Sequence, residues 1–215
     1  MAVICPTITA GSDEQYRQQI EKVAHFAHRI HIDLTDGKFA PSKLISPASA
    51  WWPAGVKADF HMMYKDPEPP VKAVIEHRPN LIIIQAEADG DFLTLANYCK
   101  QLGVKVGVAL LPGTPAQTIL PAIEHIDHVL IFSGNLGYQG GSHADMKLLN
   151  KSSILKRHKP ELEIGWDGGV NDQNVSQLVS GGVDVLNVGG YIQNADNPAK
   201  ALAALQRIAD ETGTT

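Results

Sequence analysis

The sequence is poor in the features that mark secreted, membrane-spanning and nucleic-acid-binding proteins. It has 2 cysteines among 215 residues, too few for a disulfide framework and typical of the reducing cytoplasm. No run approaches the roughly 20 apolar residues that cross a bilayer. The opening Met-Ala-Val-Ile-Cys-Pro lacks the basic and apolar regions of a secretory signal. We therefore expect a cytoplasmic protein.

Positive charge is also too sparse for a nucleic-acid partner. Lys and Arg number 18 against 23 Asp and Glu, for a formal net charge of −5, whereas binding to a phosphate backbone needs clustered Lys and Arg. Hydrophobic residues make up 44% of the chain and charged residues 19%, an ordinary globular composition. Because no linker or low-complexity tract is present, we expect residues 1–215 to form a single domain.

Short apolar runs alternate with amphipathic stretches along the whole chain, as in βα units on a parallel sheet. The runs predict strands at about residues 2–8, 29–34, 57–62, 81–85, 105–110, 128–132, 163–166 and 185–188. Helices are predicted at about residues 13–27, 48–52, 70–78, 91–101, 115–123 and 144–156, from about 172, and at 198–210.

Eight such units in 215 residues fit a compact (β/α)8 TIM barrel, a fold with a lower size limit of about 200 residues. An open, doubly wound sheet is the alternative. The Gly-x-Gly-x-x-Gly fingerprint of that fold does not follow the first strand.

Polar side chains occupy one face of several predicted strands. His31 and Asp33 alternate with three aliphatic residues in the second strand, and the aliphatic face should pack under the helices. His61 has the same parity in the third strand, and Asp167 ends the seventh. We therefore expect all four side chains at the barrel mouth where such enzymes keep their active sites.

Two imidazoles and two carboxylates in one barrel mouth need a compensating charge, because burying an ionisable group costs several kcal/mol unless it is paired. We interpret His31, Asp33, His61 and Asp167 as ligands of one divalent cation. Zn, Fe, Mn and Co all accept this donor set, so the metal stays open. The alternative interpretation is a set of hydrogen-bonded networks without an ion.

Two glycine pairs, Gly168-Gly169 and Gly189-Gly190, follow the last two strands. Loops at these places commonly bind phosphate in this fold, since glycines let backbone N–H groups approach the anion. Two tight turns without a ligand are the alternative. The glycine-rich sixth loop, residues 133–142, either closes over a ligand or is a surface turn.

These residues resemble the ribulose-phosphate 3-epimerase family, nearly from end to end. The segment HIDLTDGKFAP at residues 31–41 is similar to the family's His-x-Asp-x-Met-Asp-Gly-x-Phe-x-Pro. Close counterparts also exist for CPTI at 5–8, FHMM at 60–63, KVGVALLPGTP at 105–115 and WDGGV at 166–170.

The resemblance implies that His31, Asp33, His61 and Asp167 bind the metal, and that the two aspartates also serve as acid and base. It also implies that a sugar phosphate is held by the opening strand and the glycine loops. The expected substrate- and phosphate-binding residues are Thr7, Gly137, Gly140, Gly141, Gly168, Gly169, Gly189 and Gly190.

The implied activity is a metal-dependent ketose-phosphate 3-epimerase that interconverts D-ribulose 5-phosphate and D-xylulose 5-phosphate. The reaction removes a proton beside a carbonyl and returns it from the other face. A metal on the neighbouring oxygens would stabilise the enediolate, and Asp33 and Asp167 could exchange the roles of base and acid.

Several positions depart from the family pattern. Thr35 and Ser133 stand where the family has methionines around the sugar, Gln85 replaces a His of the fourth strand, and Thr7 replaces a Ser. A more polar pocket leaves open another substrate, such as D-allulose 6-phosphate. A non-catalytic phosphosugar-binding paralogue is the alternative outside enzymes.

A barrel lyase is a weaker alternative, because Lys57 and Lys105 begin strands rather than ending them. We expect a homo-oligomer, with Trp51-Trp52 either forming an interface or covering the barrel.

Overall fold

The computed structural model describes residues 1–213 and contains a closed barrel of eight parallel strands. The strands are β1 Val3–Ile8, β2 Arg29–Thr35, β3 Lys57–Met63, β4 Leu81–Gln85, β5 Lys105–Leu110, β6 His128–Phe132, β7 Glu163–Asp167 and β8 Val185–Val188. Each strand pairs with its neighbours in the chain, and β1 closes the ring by pairing with β8. The predicted (β/α)8 barrel is confirmed, and the open sheet is wrong.

Helices connect the strands. They are α1 Asp13–Val23, α2 Glu68–Ile75, α3 Phe92–Gln101, α4 Leu149–His158, α5 Val175–Ser180, α6 Gly190–Gln193 and α7 Pro198–Gly213, with 3-10 helices at Pro47–Ser49, Ala116–His125 and Met146–Leu148. Within residues 1–213, no helix is both long and apolar enough to cross a membrane.

The helices differ from the sequence prediction more than the strands do. The fifth connection, Ala116–His125, is a 3-10 helix instead of an α-helix, and it contains Pro121, whose ring is unfavourable inside an α-helix. α1 ends at Val23, four residues before the predicted end. Only Pro47–Ser49 is helical in the second connection, and α6 was not predicted.

Side chains divide between an outer apolar layer and the barrel interior. The outer layer contains Ile30, Ile32 and Trp166, which pack between sheet and helices. The interior holds a small apolar cluster of Leu81, Ile83, Ala109 and Leu130. Because side chains alternate along a strand, Leu130 lies between inward-facing His128 and Phe132 of β6. This cluster separates two polar layers, one at each end of the barrel.

Candidate metal and substrate site

Three strands bring the four expected metal ligands together at the carboxyl end of the barrel. Asp33 of β2 pairs in register with His61 of β3, and His31 lies two residues earlier on the same face of β2. Asp167 is the last residue of β7. One ligand atom from each of the four residues lies within 4.8 Å of all the others, and all four residues are buried.

Asp33 is the centre of this cluster. Its Oδ1 lies 3.0 Å from Nδ1 of His61 and 3.4 Å from Nε2 of His31. Thr9 Oγ1 donates to Asp33 Oδ2 at 2.7 Å. Asp167 Oδ2 is 3.8 Å from Nε2 of His31. Both carboxylates therefore converge on the His31 ring.

The two carboxylates differ in their electrostatic surroundings. Burial alone would raise the pKa of Asp33, but the imidazoles of His31 and His61 hold that pKa well below its usual range. Burial raises the pKa of Asp167, and the Asp33 charge raises it further against the opposing effect of His31. Neighbouring buried carboxylates separate each other's pKa values in this way.

His31 gives the most direct indication that the cluster fits a cation. Its side chain is fully buried, and neither ring nitrogen has a hydrogen-bond partner among the described residues. An unpartnered buried polar group costs roughly 1–3 kcal/mol. A cation bound at Nε2, beside both carboxylates, would satisfy that nitrogen. The donor set of two imidazoles and two carboxylates fits Zn, Fe, Mn or Co.

Gln85 contacts the far side of a ligand ring. It ends β4, and its Nε2 lies 2.6 Å from Nε2 of His61. The opposite nitrogen of that ring, Nδ1, faces Asp33. Partners on the second nitrogen of a metal-binding His fix its tautomer and orientation. A lone pair on Nδ1 for a cation requires the ring proton on Nε2, so Gln85 supports metal binding when its amide is turned to accept from that N–H through Oε1, an atom without a partner among the described residues.

A cavity of about 280 Å³ opens beside the cluster. Asp33, Asp167 and Thr9 line it, together with the loops that follow β6, β7 and β8. All the residues expected to bind substrate or phosphate also line it, namely Thr7, Gly137, Gly140, Gly141, Gly168, Gly169, Gly189 and Gly190.

Gly168 and Gly169 allow two of these loops to pack closely. Both have positive φ, 116° and 71°, in the region that favours glycine. A Cβ at Gly168 would collide with the backbone of Gly134, and one at Gly169 with the backbone nitrogen of Ala144. The β7 loop therefore needs both glycines to lie against the β6 loop, so tight packing explains part of this motif without a ligand.

The β6 loop is tied to the rim of the cavity. Gln139 Nε2 donates to the carbonyl oxygen of Thr7 at 2.9 Å, and Ser42 Oγ donates to the carbonyl oxygen of Gly137 at 2.6 Å. These bonds join the β6 loop to β1 and to the loop after β2. The arrangement covers the cavity instead of leaving a free surface turn.

Thr35 and Ser133 do not make the cavity more polar. Thr35 Oγ1 accepts from the backbone N–H of Gly37, and Ser133 Oγ accepts from that of Asp145. Neither residue lines the cavity. Both hydroxyls are used within their own loops, so neither adds a polar group to the cavity lining.

The sequence interpretation missed two polar residues at this end of the barrel. Thr9 hydrogen bonds to Asp33, and Asn187 of β8 lines the cavity. The sequence could have indicated Asn187, because it is the single polar residue in the run Val-Leu-Asn-Val and lies two residues before Gly189.

Known proteins match the chain over nearly its whole length. The model of the ribulose-phosphate 3 epimerase family matches residues 3–193. A ribulose-phosphate 3-epimerase of Helicobacter pylori (strain ATCC 700392 / 26695) is 28% identical over 211 residues, which cover 95% of this chain and 97% of that protein. A protein of the same name from Aquifex aeolicus is 29% identical over 205 residues, 91% of each chain.

Solved structures with the same architecture are more distant in sequence. A 3-hexulose-6-phosphate synthase has a TM-score of 0.71 at 19% identity, covering 96% of this chain and 99% of that one. KGPDC from Streptococcus mutans has a TM-score of 0.68 at 11% identity, covering 99% of each chain. At these identities the similarity shows the barrel fold alone.

Proposed function

Because this chain belongs to the ribulose-phosphate 3-epimerase family, we propose that it interconverts D-ribulose 5-phosphate and D-xylulose 5-phosphate by inverting C3. It is thus an isomerase. The observation that carries the proposal is the convergence of Asp33 and Asp167 on one cavity, each within the same buried His/Asp cluster.

The cluster residues His31, Asp33, His61 and Asp167 would hold one divalent cation. When bound, that cation supplies stabilisation of the negative charge that develops on the substrate oxygens. His31 and His61 act only as ligands in this scheme, because neither of them lines the cavity.

Asp33 and Asp167 exchange the proton at C3. Asp33 lies near the carboxyl end of β2 and Asp167 ends β7. The two strands are separated around the ring by β1 and β8, so the two carboxylates reach the cavity from two sides. One carboxylate removes the proton from one face of C3. The other, in its protonated form, returns a proton to the opposite face, and the roles reverse for the reverse reaction.

The glycine loops bind the other end of the substrate. Backbone N–H groups around Gly169, Gly189 and Gly190 hold the phosphate group, since no side chain there blocks its approach. With the phosphate fixed, C3 lies between the two carboxylates. The β6 loop, tied to Thr7 through Gln139, excludes water from the reacting carbon.

Deuterium wash-in at C3 tests the proposal. Metal-replete protein in deuterium oxide should exchange the C3 proton of D-ribulose 5-phosphate and form D-xylulose 5-phosphate, both followed by NMR. A chelator should stop exchange, and added divalent metal should restore it. Exchange by the chelated protein, or none by the metal-replete protein, would contradict the proposal. The same assay with D-allulose 6-phosphate tests the alternative substrate.

The cysteines and the two adjacent tryptophans bear on the compartment and the oligomeric state of the enzyme. Cys5 and Cys99 are both free and buried, which supports the reducing cytoplasm as its compartment. Trp52 packs on Phe60 with ring centroids 5.4 Å apart, whereas Trp51 is 44% exposed. Trp51 is therefore the residue available to an interface in the proposed homo-oligomer.

A further inference from the structure

Asn187 is a buried amide without a partner. Its exposed fraction is 2%, and neither Nδ2 nor Oδ1 makes a hydrogen bond within residues 1–213. Each unpaired buried group costs roughly 1–3 kcal/mol, and this side chain has two. Native proteins rarely keep such a group unless a ligand or an ordered water pairs with it.

The position of Asn187 links the two halves of the site. It lies on β8 in register with Asp167 of β7, so both side chains point into the barrel at the same level. Gly189 follows two residues later, at the cavity wall. Asn187 therefore stands between a catalytic carboxylate and the glycine loops.

Thr7 adds a second unpartnered group nearby. Its Oγ1 is buried and has no hydrogen-bond partner in the part of the chain that the structure describes, and Thr7 lines the same cavity as Asn187. Its carbonyl oxygen is already used by Gln139 and Gln193. β1 pairs directly with β8, so the free hydroxyl and the free amide belong to neighbouring strands.

The chemistry of these groups selects the kind of ligand atom. An amide offers both donors and an acceptor, and a hydroxyl does the same. A phosphate oxygen needs only donors, and a cation needs only acceptors. A sugar hydroxyl both donates and accepts, so it complements Asn187 and Thr7 together.

We propose that Asn187, assisted by Thr7, is a specificity-determining residue that binds the substrate hydroxyl between the reacting carbon and the phosphate. In a ketose 5-phosphate this is the hydroxyl on C4. The inference rests on the proposed function, because C3 at the carboxylates and phosphate at the glycines leave C4 beside Asn187. Asn187 thereby selects for substrates that carry this hydroxyl.

The inference can be tested by comparing the binding of two unreactive ligands to the wild type and to a variant. The ligands are D-ribitol 5-phosphate, an unreactive polyol, and its 4-deoxy counterpart, each titrated calorimetrically into metal-replete protein. The wild type should bind the first ligand roughly 10- to 100-fold more tightly. In Asn187→Ala that preference should shrink to about threefold or less, because the partner of the C4 hydroxyl is gone.

Two further variants keep the test decisive. Asn97→Ala removes an exposed amide on α3 and should leave the preference unchanged. Thr7→Val removes a hydroxyl at nearly constant volume and should reduce the preference for D-ribitol 5-phosphate over its 4-deoxy counterpart. This variant can be measured even if Asn187→Ala does not fold. Equal weakening of both ligands by Asn187→Ala would contradict the inference, as would a wild type that binds neither ligand or binds both equally.

The outcomes separate this inference from the proposed function. Wild-type protein that prefers the C4 hydroxyl but exchanges no deuterium at C3 would contradict the epimerase and leave the role of Asn187 standing. Protein that epimerises D-ribulose 5-phosphate and its 4-deoxy analogue with equal kcat/KM would contradict the role of Asn187 alone.

Discussion

Both ends of the barrel interior bury charged groups, but they pair their carboxylates with different cations. There, Arg29 donates through Nε to Asp59 and through its terminal nitrogens to Glu163 at 2.8 and 2.9 Å. At the carboxyl end, the ion pairs of Asp33 and Asp167 among the described residues involve imidazoles alone. One end has a guanidinium between its carboxylates, and the other has a place for a cation.

The remaining partners follow the same division. At the amino end Asn80 donates to Asp59, and His128 Nδ1 contacts Glu163 at 2.8 Å. Burial would raise the pKa of Glu163, but His128 and Arg29 hold it well below its usual range. At the carboxyl end, polar atoms of Thr7, His31, Gln85 and Asn187 have no partner within residues 1–213, whereas His128 Nε2 is the one such atom of the amino-end network there. The first layer stabilises the fold, and the second is completed by ligands.

The largest effect should come from the two carboxylates of the carboxyl end. Asp33→Asn and Asp167→Asn each remove a group that transfers the C3 proton, so each should lower kcat by about 10²- to 10⁴-fold. Steady-state epimerase assays measure the loss, and circular dichroism should show an intact fold. Asp196→Asn, on the surface, should keep the full rate. A variant of either cluster aspartate with most of the wild-type rate would refute the two-base scheme.

A substitution in the amino-end network should lower the stability of the fold without affecting the catalytic site directly. Arg29→Met leaves buried Asp59 and half-buried Glu163 without their common partner, and should lower the free energy of unfolding by about 3–5 kcal/mol, mainly through Asp59. Urea denaturation measures it, with exposed Arg157→Met as the matched control. The metal affinity of the folded protein should not change. If Arg29→Met lowered the free energy of unfolding by less than about 1 kcal/mol, as for a surface ion pair, the amino-end network would not stabilise the fold in the way we infer.

A smaller effect on the site should come from Gln85, which contacts the expected metal ligand His61 but does not line the cavity. Gln85→Leu removes the contact to His61 Nε2, and should weaken metal binding by about 10- to 100-fold. Competition with a chromophoric chelator measures the affinity directly. Gln101→Leu, at the exposed end of α3, should bind metal like the wild type. Unchanged affinity in Gln85→Leu would show that His61 needs no support from this side.

The strands were predictable because each carries a buried apolar face that stands out from the polar connections around it. Their observed bounds agree with the prediction within one residue at each end. Connections were harder, since the effect of Pro121 on the Ala116–His125 segment depends on how the chain packs outside the barrel.

The site was predictable where side-chain parity decides it. Parity placed His31, Asp33 and His61 inside because their strand neighbours are strongly apolar. It did not reveal the amino-end network, because Arg29 and Glu163 begin strands and resemble solvated residues. They lie 134 positions apart, and only ring closure brings them together. The sequence did not reveal how the Thr35 and Ser133 hydroxyls are used, because their partners are backbone groups of their own loops.

The close approach at Gly168 and Gly169 has a consequence for how substrate enters. The backbones of the β6 and β7 loops touch there without intervening side chains, so neither loop can swing far while the other stays still. Where a phosphorylated sugar displaces one of these loops, the other has to move with it or separate from it along this contact. A methyl group at either glycine would push the two backbones apart and keep the loops separated.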